Sequence, residues 1–201
     1  MDMAVLASGY GSNLQAIVNA VQNGGISGRV AVVISDRKGA YALQRARDSG
    51  IEALFIDPRE HERRDAYDKA ILEILHNRRI HLVILAGFMR LLTASFVQEF
   101  KSRIMNIHPS LLPAFPGLDG VKQALAYGVK VSGCTVHFVD EGLDTGPIIL
   151  QEAVPVCDKD TEESLHARIH KVEHRLYPRA IQLFIEGKLH LEGRRCLADE
   201  N

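Results

Sequence analysis

The sequence predicts an α/β fold, a doubly wound and mostly parallel sheet with an antiparallel C-terminal extension. Three observations predict it. Short apolar runs bounded by turn residues recur through the first half, at 3–7, 30–34, 53–56, 82–85 and 104–107. Between the third and fourth runs, Ala66, Tyr67, Ala70, Ile71, Ile74 and Leu75 repeat at the spacing of an amphipathic helix. Two further β-rich runs, 134–139 and 148–154, follow each other closely in the second half. Continuous apolar strands are buried on both faces, and strand–helix alternation implies right-handed crossovers onto a parallel sheet. The close pair reads instead as antiparallel strands appended to it.

Each element has its own signal. The first run enters Ser8-Gly9-Tyr10-Gly11-Ser12-Asn13, a turn leading into a helix. Residues 109–130 hold three prolines and three glycines around a short helix near 121–127, and so predict a loop-rich segment that can act as a lid. The turn-rich stretch 140–147 separates the last two strands. Thr161-Glu162-Glu163-Ser164 opens a final helix over 161–186 as a cap with acidic residues in its first turn. Pro178 is expected to kink or interrupt that helix. Residues 1–190 read as a single domain and 191–201 as a solvated C-terminal tail.

Composition narrows the function classes. In 201 residues, 46% are hydrophobic and 24% charged, the balance of a globular chain rather than a disordered one. Lys and Arg total 24 against 25 Asp and Glu, so the basic surplus that holds a nucleic acid is lacking. No apolar run approaches the roughly 20 residues that span a bilayer, so no membrane partner is expected. The N-terminus turns polar too early for a signal peptide. Cys134, Cys157 and Cys196 are scattered without C-x-x-C spacing, and read as reduced thiols of a cytoplasmic protein rather than disulfides or a zinc site. Nothing marks an oligomer interface; a monomer or a homodimer is expected.

Open doubly wound sheets bind ligands outside the carboxyl ends of their strands, where strand order reverses. With the order 3-2-1-4-5, that point lies between the first and fourth strands, at 8–13 and 86–90, with 106–109 beside them. The 8–13 loop presents backbone N–H groups at a helix start, suited to a phosphate or a carboxylate. It is not a dinucleotide fingerprint, because Leu14 stands where the third glycine belongs. Asn106 and His108 lie two apart on a strand and therefore share a face. An amide and an imidazole side by side can both donate to a developing oxyanion. Asp144, 36 residues further on in an acidic, Gly-rich turn, could hold an imidazolium in place, although such turns are usually only solvated loops. His166, His170 and His174 are spaced four apart on the final helix beside Glu173. Lacking an H-E-x-x-H core, they are read as a polar helix face or one that faces substrate, and no metal is assigned.

Four segments carry a resemblance. Ser-Gly-Tyr-Gly-Ser-Asn-Leu at 8–14, Leu-Ala-Gly-Phe-Met-Arg at 85–90, Asn-Ile-His-Pro-Ser-Leu-Leu-Pro at 106–113 and Asp-Glu-Gly-Leu-Asp-Thr-Gly-Pro at 140–147 occur in family order. Across about 1–190 the chain resembles the folate-dependent phosphoribosylglycinamide formyltransferases, with their Rossmann-like formyltransferase fold. The resemblance implies transfer of the formyl group of 10-formyltetrahydrofolate to the amine of glycinamide ribonucleotide in purine biosynthesis. It implies catalysis by Asn106, His108 and Asp144, without a metal. It implies that Gly11, Ser12 and Asn13, with His170, Lys171, Val172 and Glu173, hold the ribonucleotide. It implies that Arg64, Met89, Arg90, Leu91, Leu92, Asn106, Asp140, Glu141, Gly142, Leu143 and Asp144 receive the folate. One position departs: many relatives carry a His two residues after the Pro-Gly of the 109–120 loop, where this chain has Asp119. His108 is then the only imidazole of the core motif, and Asp119 is expected to pair with Lys122 or cap the short helix. Two rivals remain, a formyltetrahydrofolate hydrolase and a non-catalytic nucleotide-binding module. The hydrolase is expected to bring an additional N-terminal domain.

Overall fold

The structure, a computed structural model, describes residues 1–199. The chain divides into two compact units, Met1–Met105 and the residues from Asn106 onward. In the first unit, β1 (Asp2–Leu6) is flanked by β2 (Arg29–Ser35) and β4 (Leu82–Leu85), and β3 (Glu52–Phe55) lies beyond β2. All three pairings are parallel. The expected reversal of strand order at β1 and β4 is therefore present. The crossovers carry α1 (Ser12–Gln22), α2 (Tyr41–Asp48), α3 (Arg64–Asn77) and α4 (Ala94–Glu99), and a single 3-10 turn spans Pro58–Glu60.

Apolar sequence and burial agree at the sheet's centre. Every residue of β4 is buried, as are Met3, Ala4, Val5 and Leu6 of β1. The edge strand β3 is only half-buried, which corrects the expectation of burial on both faces there. In α3, Tyr67, Ile71 and Leu75 of the stripe read from the sequence are buried, joined by Asp68, whereas Ala70 and Ile74 are half-buried and Ala66 is exposed. The Asp68 carboxylate accepts the Thr93 N–H at 2.7 Å and so satisfies a buried charge.

The chain passes from the first unit to the second within β5 (Ile104–His108). Beyond it come α5 (Gly120–Tyr127), β6 (Val131–Phe138), β7 (Ile148–Pro155) and α6 (Glu162–Ile185). β6 and β7 pair antiparallel from Val131↔Pro155 to His137↔Ile148, as the sequence predicts. α6 packs on both. Its cap is the expected one: the Thr161 hydroxyl accepts the Ser164 N–H at 3.3 Å, and the Ser164 hydroxyl accepts the Thr161 N–H at 3.0 Å.

Two expectations are corrected here. Pro178 does not interrupt α6, which runs unbroken through it. Pro178 is buried with Ile169, Leu176, Tyr177 and Ile181, and packing of that face offsets the backbone hydrogen bond a proline cannot donate. The expected tail is not a tail through residue 198. β8 (Leu189–Glu192) and β9 (Arg195–Ala198) form an antiparallel hairpin, and β9 pairs parallel with β7 at Ile148↔Arg195. Residues 200 and 201 of that tail lie outside the described residues.

Candidate active site

In the second unit the geometry starts from β5. Its alternation puts Asn106 and His108 on one face, and His108 is only 4% exposed. The turn after β6 then brings Asp144 onto the same imidazole. His108 Nδ1 lies 3.4 Å from Asp144 Oδ2, with both side chains largely buried. The backbone holds that carboxylate deliberately. Asp144 has a left-handed φ of 54°, unusual for a residue with a side chain, and its Oδ2 accepts the Gly117 N–H at 2.7 Å. The turn is braced from within. Asp140 Oδ1 accepts from the Thr145 hydroxyl at 2.6 Å and from the Gly142 N–H at 3.1 Å. Gly146 approaches the Phe138 carbonyl so closely that an added Cβ would sit 1.8 Å from its oxygen.

A second imidazole belongs to this cluster, and the sequence reading missed it. Asn106 Nδ2 is 3.2 Å from His137 Nε2, and His137 Nδ1 is 2.8 Å from the Phe138 carbonyl oxygen. A carbonyl oxygen only accepts, so His137 carries its proton on Nδ1 and offers the Nε2 lone pair to the Asn106 amide. Burial pushes the His137 pKa down, against its backbone hydrogen bond and the Asp144 charge. A neutral His137 makes no ion pair with Asp144, although 3.7 Å separates Nε2 from Oδ1. Its effect is to orient Asn106. One amide N–H is spent on His137, and the second stays on the same nitrogen. A signal for this existed: Thr135 and His137 are buried polar residues two apart, and therefore on one face, in β6.

Thr135 does comparable work for the segment after His108. Its hydroxyl donates to the Ser110 carbonyl at 2.7 Å and accepts from the Leu112 N–H at 3.0 Å and from Gln151 Nε2 at 2.9 Å. The Pro-rich segment is thus tied to β6 and β7. It folds back so that the Phe115 carbonyl accepts the His108 Nε2–H at 2.7 Å. Hence the imidazole N–H best suited to an oxyanion is covered by the 109–120 loop in this conformation. Asp119 is the residue that caps α5, in a left-handed conformation with φ 60° but with no side-chain cap hydrogen bond.

In the first unit the site is built from backbone. Gly11 caps α1 at φ 76°, and no side chain caps that helix start. An added Cβ at Gly11 would meet the Ala42 Cβ at 2.8 Å, so both the φ and the packing demand glycine. The loop is tied to the end of β4. The Ser8 N–H donates to the Gly87 carbonyl at 3.0 Å, and the Ser8 hydroxyl accepts the Met89 N–H at 2.8 Å. Ser12 and Asn13 are the first residues of α1. The convergence of the first and fourth strand ends read from topology is therefore present.

The remaining expected residues fall into three groups. Met89, Leu91 and Leu143 leave large apolar side chains half or more exposed, at 54%, 58% and 50%. Leu92 is half-buried, whereas Arg64, at the start of α3, Glu141 and Gly142 are exposed. The Arg90 guanidinium instead stacks over the Tyr67 ring, 5.0 Å from its centroid. On α6, His170 and Glu173 share a face, with His170 Nδ1 2.6 Å from Glu173 Oε2. That hydrogen bond raises the His170 pKa, while burial lowers those of His166 and His174. Lys171 is exposed and Val172 is buried in the core, so the helix turns the stretch 170–173 to different sides. Among the described residues no group of three His, Cys, Asp or Glu side chains is placed to hold a metal. Likewise, no helix there is long and apolar enough to cross a membrane. All three cysteines are free thiols, and burial pushes that of Cys134 up to about 12.

The comparisons with known proteins agree on one family. A family model described as formyl transferase matches residues 1–181. The chain is 45% identical over 179 residues to the phosphoribosylglycinamide formyltransferase of Bacillus subtilis, covering 89% of this chain and 92% of that protein. It is 51% identical over 187 residues to the trifunctional purine biosynthetic protein adenosine-3 of Drosophila melanogaster, covering 92% of this chain but spanning only 14% of that protein's length. Among solved structures, glycinamide ribonucleotide transformylase 1 from Symbiobacterium toebii superposes with a TM-score of 0.97. It shares 56% identity, and the match covers 98% of this chain and 93% of that one.

Proposed function

The chain belongs to the phosphoribosylglycinamide formyltransferases, and from that premise we propose that its second unit catalyses formyl transfer through Asn106, His108 and Asp144. The donor is 10-formyltetrahydrofolate and the acceptor is the primary amine of glycinamide ribonucleotide, in the route to purines. One observation carries the residue assignment: Asp144 stands 3.4 Å from His108 across 36 residues of sequence, on a backbone held at positive φ.

The chemistry follows from the donors. The neutral amine attacks the formyl carbon, a C–N bond forms, and the formyl oxygen becomes an oxyanion. Asn106, held by His137, donates its second N–H to that oxygen. His108 as an imidazolium donates from Nε2 while its Nδ1–H faces Asp144, which balances the charge. The formyl oxygen takes the Nε2–H that the Phe115 carbonyl accepts in this conformation, so substrate and the 109–120 loop compete for one proton donor. The attacking nitrogen loses a proton, and the folate nitrogen gains one as its bond to carbon breaks. The products are the N-formyl ribonucleotide and tetrahydrofolate, and no metal is needed.

Binding roles follow the same pattern. The uncapped start of α1 at Gly11, Ser12 and Asn13 suits the ribonucleotide phosphate. The paired His170 and Glu173 suit its polar remainder, with Lys171 beside them; buried Val172 serves by packing. In the first unit the exposed apolar side chains of Met89 and Leu91, with Leu92 beside them, suit the folate; in the second, the exposed Glu141, Gly142 and Leu143 are assigned to the same ligand. Arg64 suits a folate carboxylate, and Arg90 contributes its backbone. Asp140 acts by bracing the turn. The free thiols suit a cytoplasmic enzyme working on small molecules, with neither nucleic acid nor membrane as partner, as a monomer or a homodimer. The direct test follows tetrahydrofolate release spectrophotometrically, with and without glycinamide ribonucleotide. Release only with the acceptor is expected; release without it identifies a hydrolase, and none in either case a binding module.

A further inference from the structure

A cavity of about 320 Å³ opens in the first unit at the ends of β2 and β3. Its size falls within the range of small-molecule sites. Asp36, Arg37 and Lys38 line it from the residues after β2, Phe55 and Pro58 from the end of β3, and Arg90 from the segment after β4. Two polar atoms of these lining residues, Asp36 Oδ1 and Arg90 Nε, are enclosed by protein without a hydrogen-bond partner. Behind them the Tyr67 hydroxyl is also buried and unpartnered. Burial first, and then the Asp36 charge, push the Tyr67 pKa well above its usual value.

We propose that this cavity is a binding site for a nucleoside 5′-monophosphate, separate from the formyl-transfer chemistry. Three features select that class. Asp36 stands immediately after the strand beside β1, 25 residues beyond Gly11. In sheets of this topology, that is where a carboxylate accepts ribose hydroxyls. Its position is firm, because the Ser35 hydroxyl accepts the Arg37 N–H at 3.1 Å and donates to the Arg37 carbonyl at 3.2 Å. Arg37 and Lys38 are exposed and, among the described residues, form no ion pair, leaving both for a phosphate dianion. The other carboxylate, Asp57, is already neutralised by Arg59 at 2.7 Å. Phe55 and Pro58 supply an apolar wall for a base. Inorganic phosphate would use neither Asp36 nor that wall, and a dinucleotide needs the third glycine that Leu14 replaces.

The test is an NMR titration of the isotope-labelled full chain with adenosine 5′-monophosphate, beside inorganic phosphate and adenosine as separate probes. Saturable shifts of the Asp36, Arg37 and Phe55 amides are expected with the nucleotide, and at least about tenfold weaker binding with either partial probe. Asp36→Asn and Lys38→Glu should each weaken nucleotide binding about tenfold or more while formyl transfer continues. Lys38 is exposed, so Lys38→Glu decides the matter even if Asp36→Asn does not fold. No saturable shift up to about 10 mM overturns the proposal, as does equal affinity for phosphate alone or unchanged binding in a folded variant.

Discussion

The two units build their sites from different material. In the first, the loop after β1 offers backbone: a left-handed Gly11, an α1 start without a side-chain cap, and a clamp between Ser8 and the Gly87–Met89 backbone. In the second, side chains do the work. Asn106 is oriented by His137, and His108 lies between Asp144 and the Phe115 carbonyl. A backbone cradle is suited to a fixed charge such as a phosphate, whose charge does not change during reaction. A side-chain cluster is suited to charge that appears and disappears, because its groups can donate protons. The two should therefore fail differently when altered.

The largest effect is expected from the side-chain cluster. His108→Ala and Asp144→Asn should each lower kcat by about 10²–10³-fold, the loss typical of a missing oxyanion donor. Ribonucleotide affinity, measured by calorimetry, should stay close to that of the parent. Parental kcat in both variants would remove the proposed mechanism.

A smaller and opposite pattern is expected from the backbone cradle. In Gly11→Ala, the φ of 76° and the 2.8 Å approach to Ala42 both act. Strain of this kind costs about 1–3 kcal/mol. The unfolding midpoint should fall and ribonucleotide Kd rise, with kcat at saturation little altered. Gly11→Ala combined with Ala42→Gly removes the Cβ contact but leaves the backbone Cα of residue 42 at 2.9 Å and the φ unchanged, so stability should return only in part. Full recovery would show that the conformation at Gly11 is unimportant.

The smallest effects concern pH and have opposite signs within the second unit. His137 has a lowered folded pKa. Below its unfolded value of about 6.5, the unfolded chain takes up a proton that folded His137 resists, so its contribution to stability is lost as pH falls. His170, raised by its hydrogen bond to Glu173, does the reverse. Its contribution is complete below about 6.5 and is lost as pH rises through the folded value. Urea denaturation from about pH 5.5 to 7.5 should show a weaker acid loss in His137→Gln and a weaker alkaline loss in His170→Asn. Equal slopes in both variants and the parent would contradict these assignments.

Much of the fold was legible because the central strands are continuously apolar. The run 82–85 coincides with β4, and the periodic stripe from Ala66 to Leu75 lies within α3. The hairpin β8–β9 was not legible, since its strands are four residues each, half-buried or exposed, and the Leu189 and Leu191 alternation in β8 is too short to mark a strand. Pro178 misled because a local rule for the backbone took no account of buried packing along α6. In the candidate site, Asn106 and His108 were paired by strand alternation alone, which needs no tertiary knowledge. His137 was passed over although the same alternation applies to β6.

The amino-acid order by itself determined the parallel layout of the first unit, the glycine turn at a helix start and the amide–imidazole pair of β5. Each depends on residues within a few positions of one another, where backbone geometry dictates the outcome. Only tertiary structure decided that Asp144 meets His108, that His137 orients Asn106 and that the Phe115 carbonyl covers the imidazole. Those contacts join segments 7 to 36 residues apart, and they form because the turn after β6 and the Pro-rich segment after β5 are folded back by hydrogen bonds that Thr135 and Gly117 donate and that Asp140 accepts.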